Sequence, residues 1–242
     1  MRKKLSVLIK NAALGIGLSI ATVVTYNNWI LGPYLNHELF AKDGSVSEFS
    51  ALTQPHYWVF RSLDILAGAL LVVLAYVFAK RMPVINKARN ILIGTTAVLG
   101  LANIIDAIFV LPCSETLNSA CSIPVNISFA HFEMPNHGYS SVVIAITYLV
   151  LPIAGLIYAA QRKLWLFMLF SAINVFFALE SLLSALIQYQ ADHGFSVRAS
   201  GVSQEMQMLA LAAWFICWGV SLYVYQPTIN HLKKVNEEQA WN

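Results

Sequence analysis

The sequence predicts an all-α integral membrane protein, a six-transmembrane-helix bundle with an ordered extracytoplasmic loop cap. Two observations support this fold class. Only 11% of the 242 residues are charged and the mean hydropathy is +0.63, whereas roughly a quarter of the residues in a soluble globular domain are charged. The chain also contains apolar runs of the length, about 20 residues, that a helix needs to cross a bilayer.

The apolar runs are predicted to be helices, because a backbone surrounded by lipid must satisfy its polar groups internally. They lie at about Ala12–Leu31, Tyr57–Ala79, Asn90–Leu111, Gly138–Ala160, Leu164–Tyr189 and Met206–Tyr225. Turn-forming pairs such as Gly32-Pro33 and Leu111-Pro112 separate the runs. No linker divides the chain, so residues 1–242 are predicted to form a single domain of six spans.

Basic residues are concentrated on one side of the predicted spans. The two tails and the short connections on that side hold 12 of the 15 Lys and Arg residues, whereas the opposite loops hold only Lys42 and Arg198. Cytoplasmic loops carry the excess of Lys and Arg. Both termini are therefore predicted to be cytoplasmic, in an inner or plasma membrane, with the long loops Gly32–His56 and Pro112–His137 outside.

These two outer loops are predicted to fold into a cap over the bundle, because long loops rich in aromatic and polar residues are usually functional or self-packed. Cys113 and Cys121 lie in the second loop. Since the extracytoplasmic environment oxidises thiols, they are predicted to form a disulfide. A zinc site with His131 and His137 is the alternative, although the spacing of the two cysteines exceeds that of the usual zinc motifs.

Four ionisable residues lie inside the predicted spans, where each needs a partner or a function. Arg61 and Asp64 share a face of span two, and Asp106 should lie at similar depth on the antiparallel span three. An Arg between two carboxylates is predicted to neutralise them, either as a helix lock or as a substrate or ion site. Glu180 lies near the middle of span five and is interpreted as a helix-joining hydrogen bond or a proton or cation site. Gly68, on the face of Arg61 and Asp64, is predicted to let a neighbouring helix approach closely.

A further group of candidate residues lies near the start of span four. His137 and Ser141 are one helical turn apart, and His131 precedes them in the outer loop. Two histidines with Asp106 could ligate a catalytic metal. However, none of the established catalytic or metal-binding spacings occurs in the chain, so no metal site or cofactor is predicted.

Three motifs surround the first outer loop: Tyr26–Trp29, Val46–Ala51, and Gln54–Pro55 followed by Phe60–Asp64. They resemble the bacterial multi-pass family catalogued as domain of unknown function 998, which is similar in outline to the Frag/DRAM-like six-helix group. The most specific motif is Ser-Glu-Phe-Ser-Ala, with Glu48 at its second position. The resemblance covers nearly the whole chain and includes a further set of outer residues: Asp106, Cys113, Cys121, His131, His137 and Ser141. It implies a topology and a set of residues, without a reaction.

Three classes of function follow from these observations. The first is a membrane protein whose cap binds a lipid, an envelope component or a protein partner at the outer face. The second is a small proton- or ion-coupled transporter that uses Glu180 and the Arg61/Asp64/Asp106 triad. The third is a membrane-embedded metal-dependent hydrolase that uses His131, His137 and Asp106. The net charge of +3 is small and its basic residues are scattered, so no nucleic-acid partner is predicted.

Overall fold

The computed structural model describes residues 2–82, 86–118, 120–121, 126–127, 132–133, 136–191 and 201–239. Six long helices account for most of the described chain. They are α1 (Arg2–Tyr26), α4 (Tyr57–Arg81), α5 (Lys87–Ile108), α6 (Asn136–Arg162), α7 (Trp165–Ala191) and α8 (Gly201–Gln239). Between α1 and α4 lie the short helices α2 (Gly32–Leu35) and α3 (His37–Ala41) and the 3-10 helices Asn28–Leu31 and Val46–Ser50. Two-residue strands, β1 (Asn126–Ile127) and β2 (Phe132–Glu133), pair antiparallel before α6.

The first predicted span differs from the observed helix at its outer end. Helix α1 ends at Tyr26, and the chain bends by 50° before it continues through Asn28–Leu35. The Asn27 side-chain amide donates to the carbonyl of Val23 at 2.9 Å. The same carbonyl also accepts from the backbone amide of Asn27 at 3.1 Å, so this residue binds the last turn of α1 twice. The run to Leu31 is therefore a bent pair of helices and not one straight span.

Several helices have the length and apolarity required of a membrane span. Within the described residues, the qualifying helices are Tyr57–Arg81, Lys87–Ile108, His137–Arg162 and Trp165–Ser184, with the bent pair as a fifth span if its two parts are taken together. The described part of helix α8, which covers the sixth predicted span, is not among them. The described residues thus contain four or five membrane-capable segments, and the sixth span stays a prediction.

The six long helices form a closed ring. The pairs of long helices in contact around the ring are α1 with α4, α4 with α5, α5 with α6, α6 with α7, α7 with α8, and α8 with α1. Successive long helices run antiparallel, so the connections between them alternate between two ends of the ring. The end that carries α2 and α3 is called the cap end below, and the other is called the opposite end.

Helices α4 and α5 approach each other closely at a pair of glycines. A Cβ atom added to Gly68 would lie 2.5 Å from the carbonyl oxygen of Gly100, and one added to Gly100 would lie 2.6 Å from that of Gly68. Neither position has room for a side chain. The prediction that Gly68 permits a close helix contact is confirmed, and such small-residue contacts are how membrane helices pack their backbones together.

The cap consists of residues 28–56 and the described part of 109–121. The two segments are joined by a backbone hydrogen bond from the amide of Leu52 to the carbonyl of Leu111 at 3.0 Å. Phe49 is 1% exposed and stacks on Phe60 of α4 with ring centroids 5.2 Å apart. Cys113 and Cys121 form the predicted disulfide, with their Cα atoms 6.0 Å apart. The cap is therefore an ordered structure anchored on α4.

At the opposite end, the interior of the ring is aromatic. The rings of Phe78 and Trp218 lie 4.0 Å apart, and Phe167 lies 5.2 Å from Trp214. All four side chains are at most 1% exposed. Cys217, beside Trp218, is also buried and belongs to this apolar core.

Candidate functional site

A polar cluster lies beneath the cap, where α1, α4, α5 and α6 meet. Asp64 of α4 accepts a hydrogen bond from the Asn28 side-chain amide at 2.5 Å. Asn103 of α5 donates to the backbone carbonyl of Asp64 at 2.9 Å. The bend after α1 is what brings Asn28 to Asp64, because a straight helix would have continued past it. These bonds join three helices around one carboxylate.

The second carboxylate of the cluster, Asp106 of α5, is bound from α6. Its Oδ1 atom lies 2.6 Å from the hydroxyl of Ser140 and 3.0 Å from that of Ser141, both of which can donate to it. His137 Nδ1 lies 3.3 Å from the same oxygen, but this buried nitrogen makes no hydrogen bond in the described structure. Asp106, His137 and Ser141, which were predicted from the sequence, are thus brought together.

A pair of tyrosines crosses the ring next to the carboxylates. The hydroxyls of Tyr26 on α1 and Tyr148 on α6 share a short hydrogen bond. Because α1 and α6 are three positions apart in a ring of six helices, this bond spans its interior. Both tyrosines interact electrostatically with Asp64 and with Asp106, and the two carboxylates also interact with each other. The cluster is therefore one electrostatic unit.

In the described part of the chain, Arg61 forms no ion pair with Asp64 or with Asp106. Arg61 is half-buried, one turn from the start of α4. Asp64 is instead held by the amide of Asn28, and Asp106 by the hydroxyls of α6. A spacing of three residues places two side chains on one helix face, but the neighbouring helices decide their partners.

Glu180 is also placed differently from the prediction. It accepts a hydrogen bond from the hydroxyl of Ser203 at 2.6 Å, and Ser203 is in the first turn of α8. The next residue, Gln204, accepts from the backbone amide of Val46 in the cap at 2.8 Å. Glu180 is therefore level with the cap and not at mid-depth in its span. The observed contact is the helix-joining hydrogen bond that was one of its two interpretations.

Glu48, the second residue of the Ser-Glu-Phe-Ser-Ala motif, joins the two segments of the cap. It is 3% exposed. Its Oε1 accepts from the hydroxyl of Ser114 at 3.2 Å and the amide of Thr116 at 2.9 Å. Its Oε2 accepts from the amide of Ser45 at 3.0 Å and the hydroxyl of Thr116 at 2.5 Å. Since Ser114 and Thr116 lie within the disulfide loop, the carboxylate and the disulfide fix the same segment.

An apolar groove of about 420 Å³ runs along the surface between α5 and α6. Its lining residues are Val98, Leu101, Ala102, Ile105, Phe109, Tyr139, Ser140 and Val143. Both helices belong to the membrane-capable set. Ser140 lines the groove and also contacts Asp106. The groove therefore connects an apolar surface of two membrane-capable helices to the polar cluster.

The remaining predictions concern metals. His131 lies outside the described residues, so its position relative to His137 is not part of the site described here. The disulfide removes Cys113 and Cys121 as zinc ligands, because bonded sulfurs are not thiolates. In the described ranges, no three His, Cys, Asp or Glu side chains are grouped closely enough to hold a metal ion.

Several residues of the cluster were not identified from the sequence. Asn103 was not among the candidate residues, and Tyr26 and Asn28 were included only as part of a family motif. Tyr148 and Ser140 carried no signal, because an aromatic or small polar residue is common inside a membrane span. A concentration of polar residues at the cap ends of several helices is the signal that would have pointed to them.

The ring of apolar helices and the capped polar cluster define a multi-pass helical membrane protein. The chain belongs to the family described as Protein of unknown function (DUF998), whose model matches residues 19–221. This match includes the motifs of the first outer loop, the cluster and the disulfide. No curated protein and no solved structure matches the chain.

Proposed function

We propose that this protein binds a phospholipid, with one acyl chain in the α5–α6 groove and the headgroup at the cap end. The groove is the observation that carries this proposal. Ile105, Phe109 and Val143 are 45%, 45% and 38% exposed, so their side chains offer a continuous apolar surface to a lipid chain. Residues at the cap end would then bind the headgroup.

The dimensions of the groove support a lipid of a single leaflet. Its α5 side extends from Val98 to Phe109, a separation of eleven residues that corresponds to a rise of about 16 Å along the helix. Half of a hydrocarbon core is about 15 Å thick. The groove begins near the middle of α5 and ends beside the cap, so it matches the leaflet on the cap side.

The proposal includes a membrane orientation. With the termini in the cytoplasm, the cap and the groove belong to the extracytoplasmic leaflet of an inner or plasma membrane. The support is the distribution of the Lys and Arg residues. A membrane-impermeant maleimide on intact cells should label Leu52→Cys, in the cap, and not Lys87→Cys, at the opposite end of α5. The reverse labelling would contradict this orientation.

The two other functions receive less support. The transporter hypothesis relied on an Arg61 ion pair that is not formed and on a mid-depth Glu180 that lies beside the cap. The hydrolase hypothesis relied on a metal site, and the described residues supply Asp106 and His137 alone. By contrast, the groove and the cluster are both formed and are adjacent.

The proposal can be tested by photo-crosslinking. The protein is reconstituted in nanodiscs that contain a phospholipid with a diazirine in one acyl chain, and the labelled peptides are mapped by mass spectrometry. Labelling is expected to be concentrated on Leu101, Ile105 and Phe109. Uniform labelling of all lipid-facing helices would contradict the proposal.

A matched pair of variants separates groove occupancy from general contact with lipid. Val143→Trp places a large side chain in the groove, whereas Val150→Trp places one on the same helix seven residues further along and outside the groove lining. Their valines are 38% and 37% exposed. Crosslinking to α5 should fall severalfold in Val143→Trp and stay at the wild-type level in Val150→Trp.

A further inference from the structure

We propose that the Asp106–His137 cluster recognises a primary ammonium group, so that the bound lipid is one with an amine headgroup, such as phosphatidylethanolamine. This inference rests on the proposed lipid binding and adds the chemical class of the headgroup. It concerns four side chains: Asp106 of α5 with His137, Ser140 and Ser141 of α6.

The two serine hydroxyls are shared among several acceptors. Each hydroxyl carries one proton, and both Asp106 Oδ1 and the carbonyl oxygen of His137 lie within its reach. Both serines approach the same carboxylate oxygen. Among the described residues, no hydrogen bond reaches Asp106 Oδ2. A ligand that brings N–H donors would complete these bonds.

His137 provides independent evidence for a ligand at this position. The residue is 7% exposed, and its Nδ1 has no hydrogen-bond partner. That nitrogen points to within 3.3 Å of Asp106 Oδ1 without hydrogen-bond geometry. A buried polar atom normally has a partner. The nitrogen and the carboxylate are therefore both available to a third group that approaches from one side and contacts both.

The charge of the cluster selects a cation. In the described structure, the basic side chain within ion-pair distance of Asp106 is His137, which carries a charge only when it is protonated, and neither Lys nor Arg lies that close. With a neutral imidazole the cluster is anionic, and Asp64 adds a second carboxylate that interacts with Asp106. An anionic phosphate placed directly against Asp106 would be repelled. An ammonium group would be attracted and would form charge-assisted hydrogen bonds, which are stronger than neutral ones.

The geometry of the groove places a headgroup at this cluster. Ser140 is shared between the groove lining and the Asp106 contacts. A lipid whose chain lies along Leu101 and Ile105 therefore has its polar end at the level of Asp106 and Ser140. A primary ammonium has three N–H donors, whereas the quaternary ammonium of phosphatidylcholine has none, so the cluster is expected to discriminate between these two headgroups.

The test is a competition experiment with the full-length protein in nanodiscs. The diazirine phospholipid is displaced by unlabelled lipids of identical chains: phosphatidylethanolamine, its N-methyl and N,N-dimethyl derivatives, phosphatidylcholine and phosphatidylglycerol. Phosphatidylethanolamine should compete about tenfold better than phosphatidylcholine, as expected for a hydrogen bond to a charged group. Each added methyl group should weaken competition. This series uses the wild-type protein and does not depend on a variant that folds.

The variant Asp106→Asn should remove most of this preference, while labelling of the groove continues. Glu180→Gln is the matched control, because it makes the same chemical change at a carboxylate that is also bonded to a serine, on α7 and away from the groove. It should keep the tenfold preference. Equal competition by phosphatidylethanolamine and phosphatidylcholine, or stronger competition by phosphatidylglycerol, would overturn the inference. Absence of groove labelling with every lipid would instead overturn the proposed function.

Discussion

The two ends of the helix ring are held together by different forces. At the opposite end, Phe78, Phe167, Trp214 and Trp218 fill the interior with aromatic rings. At the cap end, the interior holds carboxylates, amides and hydroxyls that hydrogen-bond across helices. Aromatic packing is broadly distributed over many contacts, whereas each buried hydrogen bond depends on one partner.

This difference indicates which end is structural and which is functional. An aromatic core stabilises the ring mainly through apolar contacts. A buried polar cluster is costly unless it is satisfied or used. The cap end carries such a cluster and is stiffened by the Glu48 bonds and the disulfide. Four predictions test this comparison, in order of decreasing effect on stability.

The largest effect is expected for Trp214→Ala. Trp214 is 0% exposed, and its indole nitrogen donates to Ser171 at 2.8 Å. Its removal leaves a large cavity between α7 and α8, so the variant should lose about 3–5 kcal/mol of unfolding free energy. Thermal unfolding in detergent measures this loss. A rise in amide hydrogen exchange at both ends of the ring would confirm that the aromatic core stabilises the whole ring. A rise confined to the opposite end would contradict this role.

The next effect is expected for Glu48→Gln, which keeps the shape of the side chain. The amide can accept at one oxygen only, and its NH2 group would face donors that now contact a carboxylate. A loss of about 2–3 kcal/mol is expected, the range for hydrogen bonds to a charged group. Hydrogen exchange should increase in residues 43–52 and 111–121 while the aromatic core stays protected. Glu38→Gln, at an exposed cap residue, is the control and should behave as the wild type.

A somewhat smaller effect is expected for the double variant Cys113→Ser with Cys121→Ser. The disulfide joins two cysteines that are eight positions apart in the sequence. For a loop of this length, the chain-entropy model predicts a contribution of about 2.5 kcal/mol to the free energy of unfolding. The loss should be local to the cap, because the bonded segment contacts Glu48. Treating the wild type with a reductant should reproduce the change. Unaltered exchange in the cap would show that the Glu48 bonds suffice without the disulfide.

The smallest effect is expected for Arg61→Ala. If Arg61 had been the counter-ion of two buried carboxylates, its removal would have cost about 3–5 kcal/mol. Since no such ion pair is formed in the described structure, the change should be below about 1 kcal/mol. Asn28→Ala is the informative comparison, because it removes the observed partner of Asp64 and should cost more. The opposite ranking would mean that Arg61 does neutralise the cluster.

The particular residues show how far sequence reasoning extended. Cys113 and Cys121 could be paired because two cysteines in one short loop have few alternatives. The helices could be located because their apolarity is a local property. Arg61 was misassigned because helix spacing defines a face but not the rotation of that face toward its neighbours. Ser140 was missed because one more serine in an apolar span has no distinguishing pattern.

The sequence by itself determined the helices, the disulfide and the close contact at Gly68, since each depends on local composition or spacing. Only the tertiary structure decided that α1 bends after Tyr26, that Asn28 binds Asp64, and that Tyr26 meets Tyr148 across the ring. These contacts join residues 36 and 122 positions apart. Such pairs depend on the order and rotation of all six helices around the ring. The packing of whole helices sets those rotations, so no short stretch of sequence encodes them.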